Sequence, residues 1–179
     1  MKQSLIKTTL NGISVLSFLF ISAALSSCAK KQINKVDLVN INGILCKYGT
    51  ITPFTGREKA SLQNRIIEYD VVKGVRNGEF KILYSEGKPQ IVGQMVNNKN
   101  EGLWKYYYEN SQIESEGNFK NDIPDDTWIW FYLDGKIREK GNYVSGKRDG
   151  RWITYNESGK ISDEKQFKVG ELIDLKKNQ

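Results

Sequence analysis

The chain has 179 residues, with 27 basic and 21 acidic side chains, a net charge of +6 at pH 7 and no histidine. The lack of histidine removes the commonest general base and metal ligand, and with it every Ser–His or Cys–His catalytic arrangement. Charges of both signs are interspersed along the chain, which is typical of a solvated surface. We therefore expect no nucleic-acid partner, no metal and no other cofactor.

The first 27 residues have the pattern of a secretory signal. Lys2 and Lys7 make a basic start, an apolar stretch covers residues 13–25, and two serines follow before Cys28. A helix over that apolar stretch is about 20 Å long, which is short of the ~30 Å hydrocarbon core of a bilayer. We therefore predict a helical signal peptide over residues 1–27 rather than a transmembrane helix.

Residues 25–28, Leu-Ser-Ser-Cys, resemble the bacterial lipobox, in which the cysteine becomes the mature N-terminus and carries the lipid. The resemblance implies a lipoprotein in which Cys28 carries a diacylglyceryl group and an N-acyl chain such as palmitate, and which reaches the membrane through that lipid. Several acyl chains anchor a protein lastingly. The alternative is an ordinary signal cleaved beside a chance cysteine. Ala29 follows the cysteine and favours the outer membrane of the cell envelope over the inner one.

Residues 28–40 form a short polar segment, which we predict to be a tether between the lipid and the folded domain. Residues 41–179 consist of short apolar runs separated by glycine, and we predict that they form the folded domain. The second cysteine, Cys46, lies among apolar neighbours, so we predict a small buried side chain there.

A 24-residue repeat runs through residues 74–174. Its most visible columns are an aromatic residue (Phe80, Trp104, Trp128, Trp152), a glycine (Gly93, Gly117, Gly141) and a second large apolar residue (Met95, Phe119, Tyr143, Phe167). A fixed spacing of this size indicates stacked supersecondary units rather than a globular domain around one central site. A degenerate unit from Pro53 and a polar C-terminal end are typical of the caps that such an array needs.

Within each unit the side chains alternate with a period of two. Trp104 and Tyr106 fall on one face, and Lys105 and Tyr107 on the other. Such runs, bounded by Gly, Asn, Asp and Ser, predict strands, with tight turns at 109–112 and 133–136 and connections at 97–101 and 145–149. The fold class is therefore all-β, an elongated antiparallel meander of hairpins. The glycine column lies on the aromatic face, where a bare backbone leaves space for a ring from the adjoining strand.

The pattern Gly-x-Trp-x-x-Tyr-Tyr-x-x-Gly-x-Ile, followed by a glycine and an aromatic residue, resembles the bacterial variant of the MORN repeat. The resemblance is clearest at residues 102–113 and 150–161. Phe80 in place of Trp, Asp126 in place of Gly and Ser111 in place of Gly depart from it and predict distorted turns. The resemblance implies a non-enzymatic binding or scaffold module. The alternative it implies is a YwqK-like antitoxin that neutralises a partner protein, although a signal peptide disfavours a cytoplasmic toxin.

Five aromatic residues exceed what a one-sided sheet needs: Tyr106, Tyr107, Trp130, Phe131 and Tyr155. They either bury one another because the sheet curls, or they form an exposed strip that binds an envelope protein, a peptide or a glycan.

The acidic residues favour structure over chemistry. Residues 121–126 lack the EF-hand spacing and fall at a hairpin connection, so we favour a connection over a calcium loop. Glu116, Lys140 and Glu164 share one column about 9–10 Å apart, too far for direct pairing. An envelope enzyme acting on glycan would need two carboxylates converging in a cleft, which no repeated inward acid provides.

Overall fold

The computed structural model describes residues 37–173. The predicted signal peptide, Cys28 and residues 28–36 of the predicted tether lie outside the described residues. Thirteen strands and no helix occur in the described range, which confirms the all-β prediction. Since there is no helix there, none is long and apolar enough to cross a membrane.

The strands follow one another at short intervals along the chain. They are β1 Leu38–Ile41, β2 Ile44–Lys47, β3 Gly56–Leu62, β4 Arg65–Val72, β5 Val75–Tyr84, β6 Pro89–Val96, β7 Lys99–Tyr107, β8 Ile113–Lys120, β9 Ile123–Phe131, β10 Ile137–Val144, β11 Lys147–Tyr155, β12 Ile161–Lys168 and β13 Glu171–Ile173. Strands β3 to β13 form one antiparallel sheet of 11 strands in chain order, and β1 and β2 form a separate hairpin. The predicted meander is confirmed, and β1 begins inside the segment predicted to be the tether.

Two-residue turns at a spacing of 24 residues join successive hairpins. They lie at Lys73–Gly74, Asn97–Asn98, Asn121–Asp122, Ser145–Gly146 and Val169–Gly170, and both residues of each turn have positive φ. This is the type I′ geometry, which matches the right-handed twist of the flanking strands. The connections predicted at 97–101 and 145–149 are therefore shorter than expected. Strands β4 to β12 are correspondingly longer, at eight to ten residues.

The departures from the repeat pattern do not distort the chain. Asp126 has φ 63°, close to the 68° of Gly102 at the same column, and the register shifts by a bulge beside it. Ser111 has φ 69°, in the left-handed region that Gly135 also occupies. The prediction of distorted turns is wrong because Asp and Ser adopt the backbone conformation that glycine adopts elsewhere, at some cost in strain.

Rings pack on bare backbone along the middle of one face of the sheet. A Cβ atom added to Gly93, Gly117 or Gly141 would lie 2.1–2.2 Å from a ring carbon of the tryptophan on the next strand, Trp104, Trp128 or Trp152 respectively. The predicted role of this glycine column is confirmed. We call the side that carries these tryptophans the front face and the opposite side the back face.

The same three tryptophans are tied to the backbone. Their indole Nε1–H groups donate to the carbonyl oxygens of Gln94, Asn118 and Asn142, over 3.0–3.1 Å. Each ring is less than 10% exposed. The three indoles therefore form a buried row across the middle of the sheet.

The hairpin β1–β2 attaches beside the turn at Gly74. The Leu45 amide donates to the Gly74 carbonyl over 2.8 Å, and the Gly74 amide donates to the Phe54 carbonyl over 2.7 Å. Cys46 on this hairpin is 3% exposed and has a free thiol, as predicted.

Candidate functional site

The front face carries a continuous chain of aromatic rings. Neighbouring ring centroids are 5.2–6.3 Å apart from β4 to β12; the rings are those of Tyr69, Phe80, Trp104, Tyr106, Phe119, Trp128, Trp130, Tyr143, Trp152 and Phe167. Offset and edge-to-face contacts at such distances stabilise beyond the burial of area alone. Only the three indoles of the glycine row are buried, and the other seven rings remain half-buried. The front face therefore combines a self-supporting core with ring surface that stays open.

Two of the five predicted binding residues belong to this face. Tyr106 and Trp130 lie on either side of Ser115 in one cross-strand row. Trp130 lies between Trp128 and Trp152, with centroid distances of 5.7 and 5.6 Å. Both residues are half-buried, so each presents part of its ring to solvent.

The other three predicted residues lie on the back face, near the end of their strands. Tyr107, Phe131 and Tyr155 each stand opposite an isoleucine of the next strand. The backbone carbonyl of each accepts a hydrogen bond from a tyrosine hydroxyl of the preceding hairpin. The donors are Tyr84, Tyr108 and Tyr132, over 3.0, 2.7 and 2.7 Å respectively. The five aromatics are thus not one surface. We call these three hydrogen bonds the tyrosine ladder. The sequence contains a signal for it, because the donor tyrosines recur every 24 residues.

Polar groups border the front rings. Glu139 lies opposite Trp130 and forms an ion pair with Arg148 at 3.6 Å. The Arg148 guanidinium lies 4.1 Å from the centroid of the Trp152 ring, within cation–π range. Burial raises the pKa of the Tyr106 hydroxyl above the ordinary tyrosine value. The hydroxyl is protonated at neutral pH at either value and can donate a hydrogen bond. This arrangement can stack a flat or apolar group and offer it hydrogen bonds at the rim.

The back face carries a row of mostly charged side chains, one per strand from β3 to β12. In order it contains Lys59, Glu68, Lys81, Val92, Lys105, Glu116, Ile129, Lys140, Ile153 and Glu164. Glu116 pairs with Lys105 at 3.3 Å and Glu164 with Arg151 at 2.6 Å. The predicted column of Glu116, Lys140 and Glu164 therefore finds its partners on adjacent strands, and Lys140 lies 5.8 Å from the ring centroid of Tyr155.

The acidic segment at 121–126 serves the turns. The Asp122 carboxylate accepts from the Asn100 amide over 2.7 Å, and Asp125 accepts from the Ser145 amide over 3.3 Å. The hairpin connection predicted here is confirmed at Asn121–Asp122, and Asp125 and Asp126 belong to β9. Within residues 37–173, no group of three or more Asp, Glu or Cys side chains is placed to hold a metal ion.

Comparison with known proteins identifies the repeat. The family model described as "MORN repeat variant" matches residues 100–121, 127–145 and 148–168. No curated protein matches the chain. One similar solved structure is a mutant of S. aureus TarM in complex with fondaparinux, α-GlcNAc-glycerol and UDP, at 10% identity and a TM-score of 0.30. That similarity covers 52% of this chain and 21% of the TarM chain, and it is too weak to bear on function.

Proposed function

We propose that this chain, whose residues 100–168 match the MORN repeat variant, acts as a lipid-anchored binding or scaffold module of the cell envelope, without catalytic activity. The anchor is the lipid on Cys28, and its membrane is the outer rather than the inner one. The partner is an envelope protein, a peptide or a glycan that the front face holds close to the membrane.

The continuous front-face ring chain is the observation that carries this proposal. Aromatic rings supply large contact area at a small cost in conformational entropy, and they dominate the energetics of binding surfaces. Tyr106 and Trp130 are half-buried on strands that are paired on both sides, and neighbouring rings pack against both, so their orientation is set before a partner arrives. Glu139 and Arg148 add hydrogen-bonding groups beside them. A surface of this kind suits a flat sugar ring or an apolar side chain.

The anchor is tested by metabolic labelling with an alkyne analogue of palmitate. We expect labelling of the wild-type protein and of a Cys46→Ala control, and none of Cys28→Ala. Cys28→Ala is also expected to leave the membrane fraction. Equal labelling of Cys28→Ala would refute the anchor and leave the binding role of the sheet to be judged separately.

The binding face is tested with a photo-crosslinking phenylalanine derivative in intact cells. Positions 106 and 107 are adjacent in sequence but lie on opposite faces, so each is the matched control for the other. We expect adducts from position 106 and few or none from position 107. Digestion with a glycan hydrolase then separates glycan from protein adducts. Adducts from position 107 alone, or equally from both, would contradict the proposal.

The antitoxin-like alternative makes a different prediction in the same experiment. It requires a specific protein adduct whose toxicity the chain suppresses. If the toxin is cytoplasmic, suppression has to survive in a variant that lacks residues 1–27 and therefore stays in the cytoplasm. Suppression in that variant would replace the scaffold role with the antitoxin role.

A further inference from the structure

The front-face ring chain stops before the N-terminal edge of the sheet. From Trp152 back to Trp104 each indole lies on a glycine, but one period earlier Phe80 faces Tyr69, at 6.3 Å between centroids. On β3 the residue opposite Tyr69 is Glu58, a buried carboxylate, so the row of rings ends there. The edge strand β3 contributes Glu58, Ala60 and Leu62 to the front face, and none of these side chains is aromatic.

A cavity of about 450 Å³ lies beside Ala60 at this end of the ring row. Its apolar lining comes from four strands: Ala60 and Leu62, Ile67 and Tyr69, Phe80, and Met95. This volume falls within the range of about 300–1,000 Å³ that is typical of ligand pockets. A large apolar side chain supplied from outside would therefore continue the ring row.

Arg76 places a positive charge at the wall of this cavity. Its guanidinium lies 4.8 Å from the centroid of the Tyr69 ring. Its Nε–H is buried and has no hydrogen-bond partner among the described residues. An electron-rich aromatic ring is attracted to such a cation, so the cavity favours an aromatic occupant over an aliphatic one.

The strand beside the cavity has an open edge. β3 pairs with β4 through all seven of its residues, and no strand within residues 37–173 pairs with its other side. At the opposite end of the sheet the edge is blunted by β13, which has only three residues. An unpaired edge of seven residues can accept an extended peptide as an additional strand.

The charged row on the back face indicates which side chain an added strand would carry on that face. Lys59 begins the back-face row and pairs with Glu68 at 2.7 Å, and Lys81 follows on β5. Continuing this alternation outward places a carboxylate opposite Lys59, because opposite charges stabilise a cross-strand pair and like charges destabilise it. Ala60, the next residue, lies on the front face and lines the cavity. A residue with an aromatic side chain therefore stands beside the acidic one.

We propose that the β3 edge binds an extended segment of a partner protein in which an aromatic residue adjoins acidic residues. The aromatic ring enters the cavity at Ala60, the acidic side chain pairs with Lys59, and the backbone extends the sheet by one strand. This site is separate from the central front face at Tyr106 and Trp130. Either site can therefore fail without the other.

The probe is the fluorescent, terminally blocked peptide Thr-Glu-Trp-Glu-Val-Thr, titrated against the full chain in detergent by fluorescence polarisation. Saturable binding is expected. Replacing Trp by Ala, or the second Glu by Pro, should weaken it about tenfold or more, since one change empties the cavity and the other breaks the ladder. Absence of saturation up to about 1 mM, a concentration corresponding to negligible affinity, would overturn the proposal.

Variants of the protein test the same contacts. Ala60→Trp fills the cavity and should abolish binding, while Ser162→Trp adds the same ring to exposed β12 and should not. Lys59→Glu should weaken binding of the acidic peptide and create binding of a peptide with Lys in place of both Glu residues. Equal affinity of wild type and Ala60→Trp, or failure of the charge exchange, would overturn the proposal.

Hydrogen exchange and sedimentation test whether the edge is already occupied. Outward-facing amides of β3 should exchange fast in the free protein and slowly in the peptide complex. Protection in the free protein would show that the edge is covered. A dimer that Ala60→Trp converts to a monomer would assign the edge to a second copy of the chain. Either result would refute a partner-protein strand.

Discussion

The glycine–tryptophan contact at the centre of the sheet allows a test in which even the sign of the effect is diagnostic. Gly117 lies in an extended strand, where alanine is normally more stable than glycine by roughly 0.5–1 kcal/mol. A Cβ at this position would lie 2.1 Å from Cδ2 of Trp128. Local propensity therefore predicts that Gly117→Ala stabilises the protein, whereas the tertiary contact predicts the reverse.

The size of the effect follows from what holds the Trp128 ring. The ring would have to retreat by more than about 1 Å to reach an ordinary carbon–carbon contact of about 3.5–4.0 Å. Phe119 at 5.2 Å and Trp130 at 5.7 Å oppose that movement, and the indole donates to the Asn118 carbonyl over 3.0 Å. Overpacking typically costs about 1–3 kcal/mol, and a lost buried hydrogen bond about 1–3 kcal/mol. We expect a net loss of about 3 kcal/mol in the free energy of unfolding.

Urea unfolding followed by far-UV circular dichroism measures this loss. The Trp128→Leu background supplies the matched comparison, because it removes the ring that provides the three atoms nearest to the added methyl group. Gly117→Ala should then cost little, and the double-mutant cycle should give a coupling energy of about 2–3 kcal/mol. A neutral or stabilising Gly117→Ala in the wild-type background would refute the packing argument. So would an undiminished cost in the Trp128→Leu background.

Three further outcomes are expected. Asp126→Gly should raise the free energy of unfolding by about 1 kcal/mol in urea titrations, because it relieves a left-handed backbone at φ 63°; a loss of stability would contradict this. Tyr108→Phe should lower the free energy of unfolding by about 1 kcal/mol, because it removes a hydroxyl that donates to the next repeat over 2.7 Å. Tyr107→Phe should be nearly neutral, because the Tyr107 hydroxyl donates to nothing among the described residues. Equal effects of the two changes would refute a stabilising role of the tyrosine–carbonyl hydrogen bonds. The Lys59 ammonium lowers the pKa of Glu68, so the ionised carboxylate stabilises the fold above the ordinary glutamate value of about 4.3, and this contribution disappears as the pH falls through the lowered pKa. Thermal unfolding between neutral pH and pH 3 should consequently show a smaller acid-induced loss in Glu68→Gln, and an unchanged profile would contradict the pairing.

Repetition made the fold predictable from local information. A period of two within strands and of 24 between hairpins specifies antiparallel neighbours, since each short turn leaves the next strand nowhere else to pair. The glycine column was interpretable for the same reason, because a mid-strand glycine on the aromatic face is costly unless a ring lies on it. Asp126 and Ser111 were misjudged because residue type reports the preference for a left-handed backbone, whereas neighbouring strands can impose it.

The binding surface was predictable only in part. Strand alternation already separates Tyr106 from Tyr107, but the openness of a ring depends on curvature and bulges that combine many strands. The cavity at Ala60 had no local signal, because its lining combines side chains of four strands. The role of the Tyr107, Phe131 and Tyr155 carbonyls also needed the structure, since backbone acceptors leave no trace in residue type.

The amino-acid sequence alone determined that this is a β-hairpin array with a ring-on-glycine core, because those properties depend on residues close in sequence and repeated at one spacing. Only the tertiary structure decided which rings stay open, how charges pair across the back face, and where the array leaves a strand edge unpaired beside a cavity. Those properties depend on the summed register and twist of 11 strands, and a shift at any one bulge alters the neighbours of every side chain beyond it.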